Sequence, residues 1–109
     1  MALRHFSGEG IYDGYPIVKA SSKHINYLQN NLRDADVREC IIHGATPFRA
    51  LMSSIREPNG ESYTVMVDGN PAFIFGCNPI LDNMIGKIWA LGTYDIHKIQ
   101  RKFLKWCKP

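Results

Sequence analysis

Ser62-Tyr63-Thr64-Val65-Met66-Val67-Asp68-Gly69-Asn70-Pro71-Ala72-Phe73-Ile74-Phe75-Gly76-Cys77 decides how this chain folds. Tyr63, Thr64, Val65 and Val67 favour extended backbone and alternate in part with polar neighbours, so Ser62 to Val67 reads as a strand. Asp68-Gly69 then supplies two residues that tolerate positive φ, which a tight hairpin turn requires. Ala72 to Cys77 follows as the partner strand. A β-hairpin at this point predicts antiparallel pairing at the heart of the chain.

C-terminal to the hairpin, a loop is expected around Asn78 to Asn83, then a third strand at Lys87-Ile88-Trp89-Ala90-Leu91, broken by Gly92-Thr93. An amphipathic helix is expected from about Asp95 to Cys107, with Ile96, Ile99, Phe103 and Trp106 on one face. On the N-terminal side, Ser21 and Ser22 can cap a helix carrying Ile25, Leu28 and Leu32 at helical spacing. A second helix starts at Asp34 or Asp36, where a carboxylate suits the positive end of the helix dipole. Val37, Cys40 and Ile41 give it an apolar face, and Gly44 is placed to end it. Thr46-Pro47 opens a third helix, and Phe48, Leu51, Met52 and Ile55 carry its stripe to Glu57-Pro58. Ile17-Val18-Lys19-Ala20 forms a short first strand. Residues 1–14, with Gly8, Gly10 and Gly14 among aromatic residues, read as an irregular arm.

Strands grouped after helices imply an α+β fold with a mainly antiparallel sheet of three or four strands and helices on both faces. The expected packing puts residues 22–33 and 36–56 on one side and the terminal helix on the other. At 109 residues the chain has the length of one domain, and 45% hydrophobic with 21% charged residues argues against disorder. No apolar run approaches the roughly 20 residues needed to span a bilayer, and the first ten residues lack the core of a signal peptide. Cys40, Cys77 and Cys107 are an odd set with no close pair, which reads as free thiols rather than a disulfide framework.

The order of elements looks like the first part of the GNAT acetyltransferase fold. Asp36-Val37-Arg38-Glu39-Cys40, Gly44 and Phe48-Arg49-Ala50-Leu51-Met52-Ser53-Ser54 resemble a group of short GNAT-like proteins of tailed bacteriophages. So do Asp68-Gly69-Asn70-Pro71-Ala72, Phe75-Gly76 and Ile88-Trp89-Ala90-Leu91-Gly92-Thr93. The resemblance covers roughly residues 15 to 107, and it implies residues 15–109 form a GNAT-like domain without the family's usual C-terminal half. In active relatives the strand before the last helix leads into [RQ]-x-x-G-x-[GA], whose amides hold the pyrophosphate of coenzyme A at a helix start. The equivalent here is Gly92-Thr93-Tyr94-Asp95-Ile96-His97-Lys98, with one glycine and an acidic residue where phosphate would sit.

Chemistry-bearing residues weigh little on their own. Asp82 is the carboxylate nearest the position of a general base, and also an ordinary turn residue. His24, His43 and His97 show no metal spacing, Cys77 has no histidine near it in sequence, and Tyr94 at a helix start commonly packs on a sheet edge. Five basic residues (Lys98, Arg101, Lys102, Lys105 and Lys108) and no acidic one follow Ile96. Lys98, Arg101, Lys102 and Lys105 are the candidate nucleic-acid contacts, although Phe103 and Trp106 face away from them, unlike a base-stacking surface.

The expectation is a non-catalytic GNAT-like phage protein without a cofactor or metal, a structural or assembly component of the virion. It would contact other virion proteins or itself through Ile88, Trp89 and Leu91, in the virion or host cytoplasm and without a membrane. The alternative is an N-acetyltransferase holding acetyl-CoA at Gly92, Thr93 and Tyr94. A nucleic-acid binder working through the terminal basic residues is the third.

Overall fold

The hairpin at Asp68-Gly69 forms as the residues require: Asp68 (φ 52°) and Gly69 (φ 81°) both occupy the left-handed region, the backbone of a two-residue turn matched to strand twist. The computed structural model describes residues 9–56, 60–81, 85–99 and 101. The hairpin joins β3 (Glu61–Val67) to β4 (Asn70–Leu81) within a five-stranded sheet. The other strands are β1 (Gly10–Tyr12), β2 (Tyr15–Lys19) and β5 (Ile85–Gly92). They lie in chain order, β1-β2-β3-β4-β5, and every pair is antiparallel. Between β2 and β3 the chain makes α1 (Ser22–Leu28), α2 (Asp34–Ile42) and α3 (Pro47–Ile55), and a 3-10 helix, Tyr94–Lys98, follows β5.

Strand alternation splits the core into two layers. Ile17, Val65, Val67, Phe73 and Phe75 face one side and pack with Ile96 and Ile99. Ile74 faces the other, where Ile25, Leu28, Leu32 and Leu51 close over it. The fold is therefore α+β with helical segments on both faces of the sheet, as the hydrophobic pattern implies. Thr46 caps α3 by accepting from the Arg49 amide at 3.2 Å, and Pro47 takes the first helical position.

Several expectations need correction. The sheet has five strands rather than three or four. The extra one is β1, which arises inside the stretch expected to be an irregular arm. Asp13 and Gly14 both take positive φ and fold Gly10–Tyr12 back onto β2.

The loop expected from Asn78 is strand as far as Leu81. Pro79 is accommodated because β3 ends opposite Cys77, so the amide that proline lacks would face no strand among the described residues on that side. α1 stops at Leu28, since Gln29 to Asn31 turn the chain and Asn31 Nδ2 bonds the Tyr27 carbonyl at 2.7 Å. α2 and α3 part at Gly44 (φ 75°), and Thr46-Pro47 restarts the helix as the sequence implies. The terminal helix expected from Asp95 begins as the 3-10 helix; its reach to Cys107 lies largely outside the described residues.

Candidate functional site

The described sheet ends on one side at β5, and the start of α2 lies against the last residue of that strand. Thr93 N–H donates to the Ala72 carbonyl of β4 at 2.8 Å. Alternation then turns the backbone groups of Gly92, Ala90, Ile88 and Gly86 away from β4. The outward groups of Gly92 are both taken: its carbonyl accepts from Arg33 N–H at 2.9 Å, and its N–H donates to Asp36 Oδ2 at 2.9 Å. Asp36 is buried and also receives Arg33 Nε at 3.0 Å and Nη2 at 3.2 Å. One carboxylate thus fastens α2 to the sheet edge. Leu32, bridged to Thr93, extends the fastening by one residue.

Beyond this lock the edge opens into a groove of about 350 Å³ lined by Glu39, Cys40, His43, Ala50, Ser54, Trp89, Ala90 and Leu91. Of the residues expected to bind a partner, Trp89 and Leu91 are half-buried against the helical layer, and Ile88 contributes strand backbone opposite Cys77. Trp89 lies over Gly76, where an added Cβ would come within 2.6 Å of the indole. Its Nε1 is buried without a hydrogen-bond partner among the described residues. Ala90 is exposed. The corner between α2 and α3 exposes Ile41 and Ile42 at 63% and 76%.

Cys40 is not activated as a nucleophile in this groove. Burial, together with the Asp36 and Glu39 carboxylates, pushes the Cys40 thiol up, away from the thiolate that chemistry needs. His43 Nε2 and Glu39 Oε1 meet at 3.1 Å on the solvent side.

The residues expected to hold acetyl-CoA sit together at the end of β5, with the Gly92 and Thr93 amides already engaged. Gly92 N–H serves Asp36 and Thr93 N–H serves Ala72. Asp95 N–H donates to Thr93 Oγ1 at 3.2 Å, and Ile96 N–H to the Thr93 carbonyl at 3.1 Å. A pyrophosphate held here would have to displace these bonds and sit close to the Asp36 and Asp95 carboxylates. Tyr94 Oη accepts from Asp34 N–H at 3.2 Å, which ties the exposed ring to the start of α2.

Lys98, the first of the candidate nucleic-acid contacts, is paired with Asp68 at 3.1 Å and Asp95 at 3.6 Å, and these carboxylates push its ammonium pKa up. Arg101 is exposed. Lys102, Lys105 and the base candidate Asp82 lie outside the described residues. His97 is exposed on the 3-10 helix, whereas His24 is drawn between α1 and β3. A second depression of about 300 Å³ is lined by Glu9, Lys19, Gly60, Glu61, Ser62 and Tyr63. Burial and the Glu61 and Glu9 carboxylates push the Tyr63 phenol up there.

Among the described residues no group of three or more His, Cys, Asp and Glu is gathered to hold a metal ion. Among the same residues no helix is long and apolar enough to cross a membrane. No family model, curated protein or solved structure matches this chain. Asp36 is the residue sequence reasoning undervalued. Its position in the first turn of a helix gave it a sufficient role, and only the long-range approach of Gly92 reveals the second.

Proposed function

We propose that this chain is a non-enzymatic interaction module of GNAT-like ancestry that acts through the β5 edge, as a structural or assembly component of a tailed-phage particle. The carrying observation is Ala90: exposed, with its N–H and C=O directed away from β4 and beside a groove lined by Trp89 and Leu91. A strand edge of this kind is a template for another strand. Because α2 occupies Gly92, the usable window runs from Gly86 to Ala90. That window is symmetric about Ile88, so a second copy running antiparallel places Gly86 opposite Ala90 and Ile88 opposite itself, satisfying every outward group between them. Self-pairing is therefore the first expected contact, and a strand of another virion protein uses the same window. The particle assignment rests on the resemblance of the helix, hairpin and β5 motifs.

Ala90→Pro tests the edge. It removes an outward donor while leaving the bonds to β4 in place, a position where edge strands accept proline. The wild type is expected to associate in sedimentation velocity and Ala90→Pro to run as a monomer with an unchanged circular dichroism spectrum. A wild type that stays monomeric at every concentration, and whose capture of particle proteins survives Ala90→Pro, overturns the edge reading. Detection in infected-cell lysate but never in purified particles overturns the virion assignment. Calorimetric binding of acetyl-CoA at about 10 μM or tighter, within the range of working enzymes, would replace the proposal with the acetyltransferase alternative.

A further inference from the structure

α1 is only seven residues long, too short to persist without tertiary support. Two kinds of contact hold it. Ile25 and Leu28 are fully buried in the helical layer. At its start, a single nitrogen joins helix and sheet: His24 Nδ1 receives the Ser21 N–H at 3.2 Å and lies 2.9 Å from Thr64 Oγ1. An amide can only donate, so Nδ1 carries no proton, the Thr64 hydroxyl donates to it, and the neutral ring has its proton on Nε2. Thr64 is fully buried in the middle of β3.

We propose that this junction is an acid-sensitive latch: protonation of His24 releases α1 from β3 while the rest of the sheet stays closed. The imidazolium carries a proton on both nitrogens. Thr64 can turn its hydroxyl and accept, but the Ser21 amide then faces another donor and has no acceptor. The first turn of α1 loses its cap, and a positive charge enters a half-buried site.

The charged groups on the elements around His24 are Lys23 on α1, Lys19 on β2, Glu61 on β3, Arg49 on α3 and Arg56 after it. Alternation puts Lys19 and Glu61 on the opposite face of the sheet, with Ile17 and Tyr63. Glu57 lies outside the described residues. Burial alone pushes the imidazole below the ordinary histidine value. A group depressed in this way stabilises the closed form above its unfolded pKa of about 6.5, and that stabilisation is lost as pH falls through the lower folded value. The latch is closed at neutral pH and opens on acidification.

Hydrogen exchange read by NMR between pH 7.5 and 5.0, corrected for intrinsic exchange chemistry, tests it. As pH falls from the ordinary histidine value of about 6.5 toward the lower His24 pKa, the amides of Ile25 to Gln29 are expected to lose protection by up to about tenfold per pH unit, while those of Phe73 to Phe75 hold theirs. His24→Gln, whose side-chain oxygen accepts but does not titrate, should abolish the dependence. Unchanged α1 protection, equal loss in β4, or the same loss in His24→Gln each overturns the latch. Should that variant fail to fold, a His24 titration in the wild type at or above the ordinary value does so.

Discussion

Asp36→Ala removes the carboxylate that fastens α2 to the end of β5, and its cost can be assembled from the contacts. The Gly92 N–H, in a buried residue, loses its acceptor, and an orphaned buried donor costs about 1–3 kcal/mol. Arg33 loses both of its bonds. Its side chain is 28% exposed, so it turns toward water, and that part costs only about 1 kcal/mol. The sum, about 2–4 kcal/mol, is a large share of the roughly 5–15 kcal/mol typical of a domain. At about 4–8 °C per kcal/mol for a chain near this size, the melting temperature should fall by about 8–30 °C. Asp36→Asn keeps an oxygen for Gly92 and gives up the charge and the second acceptor of Arg33, so its loss should be nearer about 1 kcal/mol. Thermal and urea unfolding followed by circular dichroism measure both. Equal losses in the two variants, or a loss under about 1 kcal/mol in Asp36→Ala, would refute the claim that Gly92 depends on this carboxylate.

Two further outcomes follow from close packing at the same edge. Gly76→Ala would bring a Cβ within 2.6 Å of the Trp89 indole and 2.7 Å of the Glu61 carbonyl oxygen; a destabilisation of about 1–3 kcal/mol and a shifted tryptophan emission are expected, and an unchanged spectrum and melting temperature would contradict that packing. Cys40 is buried with its pKa raised, so alkylation at pH 7.5, located by mass spectrometry, should run at least about tenfold slower in native protein than in urea. Comparable rates would show the thiol to be accessible and ionised.

Local chemistry made much of this protein legible without coordinates. The Asp68-Gly69 turn, the Thr46-Pro47 helix start and the alternation across Tyr63 to Val67 each depend on a few neighbouring residues, whose backbone preferences survive almost any tertiary setting. The α+β class and the helical segments on both faces follow from the same apolar spacing. The fifth strand was hidden because Gly10–Tyr12 is too short to show a period, and its pairing depends on β2 folding back onto it. Strand character through Pro79 was hidden too. Proline argues against a strand interior unless the neighbouring strand is known to have ended, and β3's end is a property of the register.

The site divides along the same line. That Gly92-Thr93-Tyr94-Asp95 carries one glycine, bulky neighbours and an acidic residue was visible in the sequence. That the Gly92, Thr93 and Asp95 amides are already spent on Asp36, Ala72 and Thr93 depends on contacts spanning as many as 56 positions. The role of Asp36, the placing of His24 against Thr64 and the packing of Trp89 over Gly76 all belong to tertiary structure. In each case the partner comes from a remote strand or helix, and a side chain carries no local mark of which distant group will reach it.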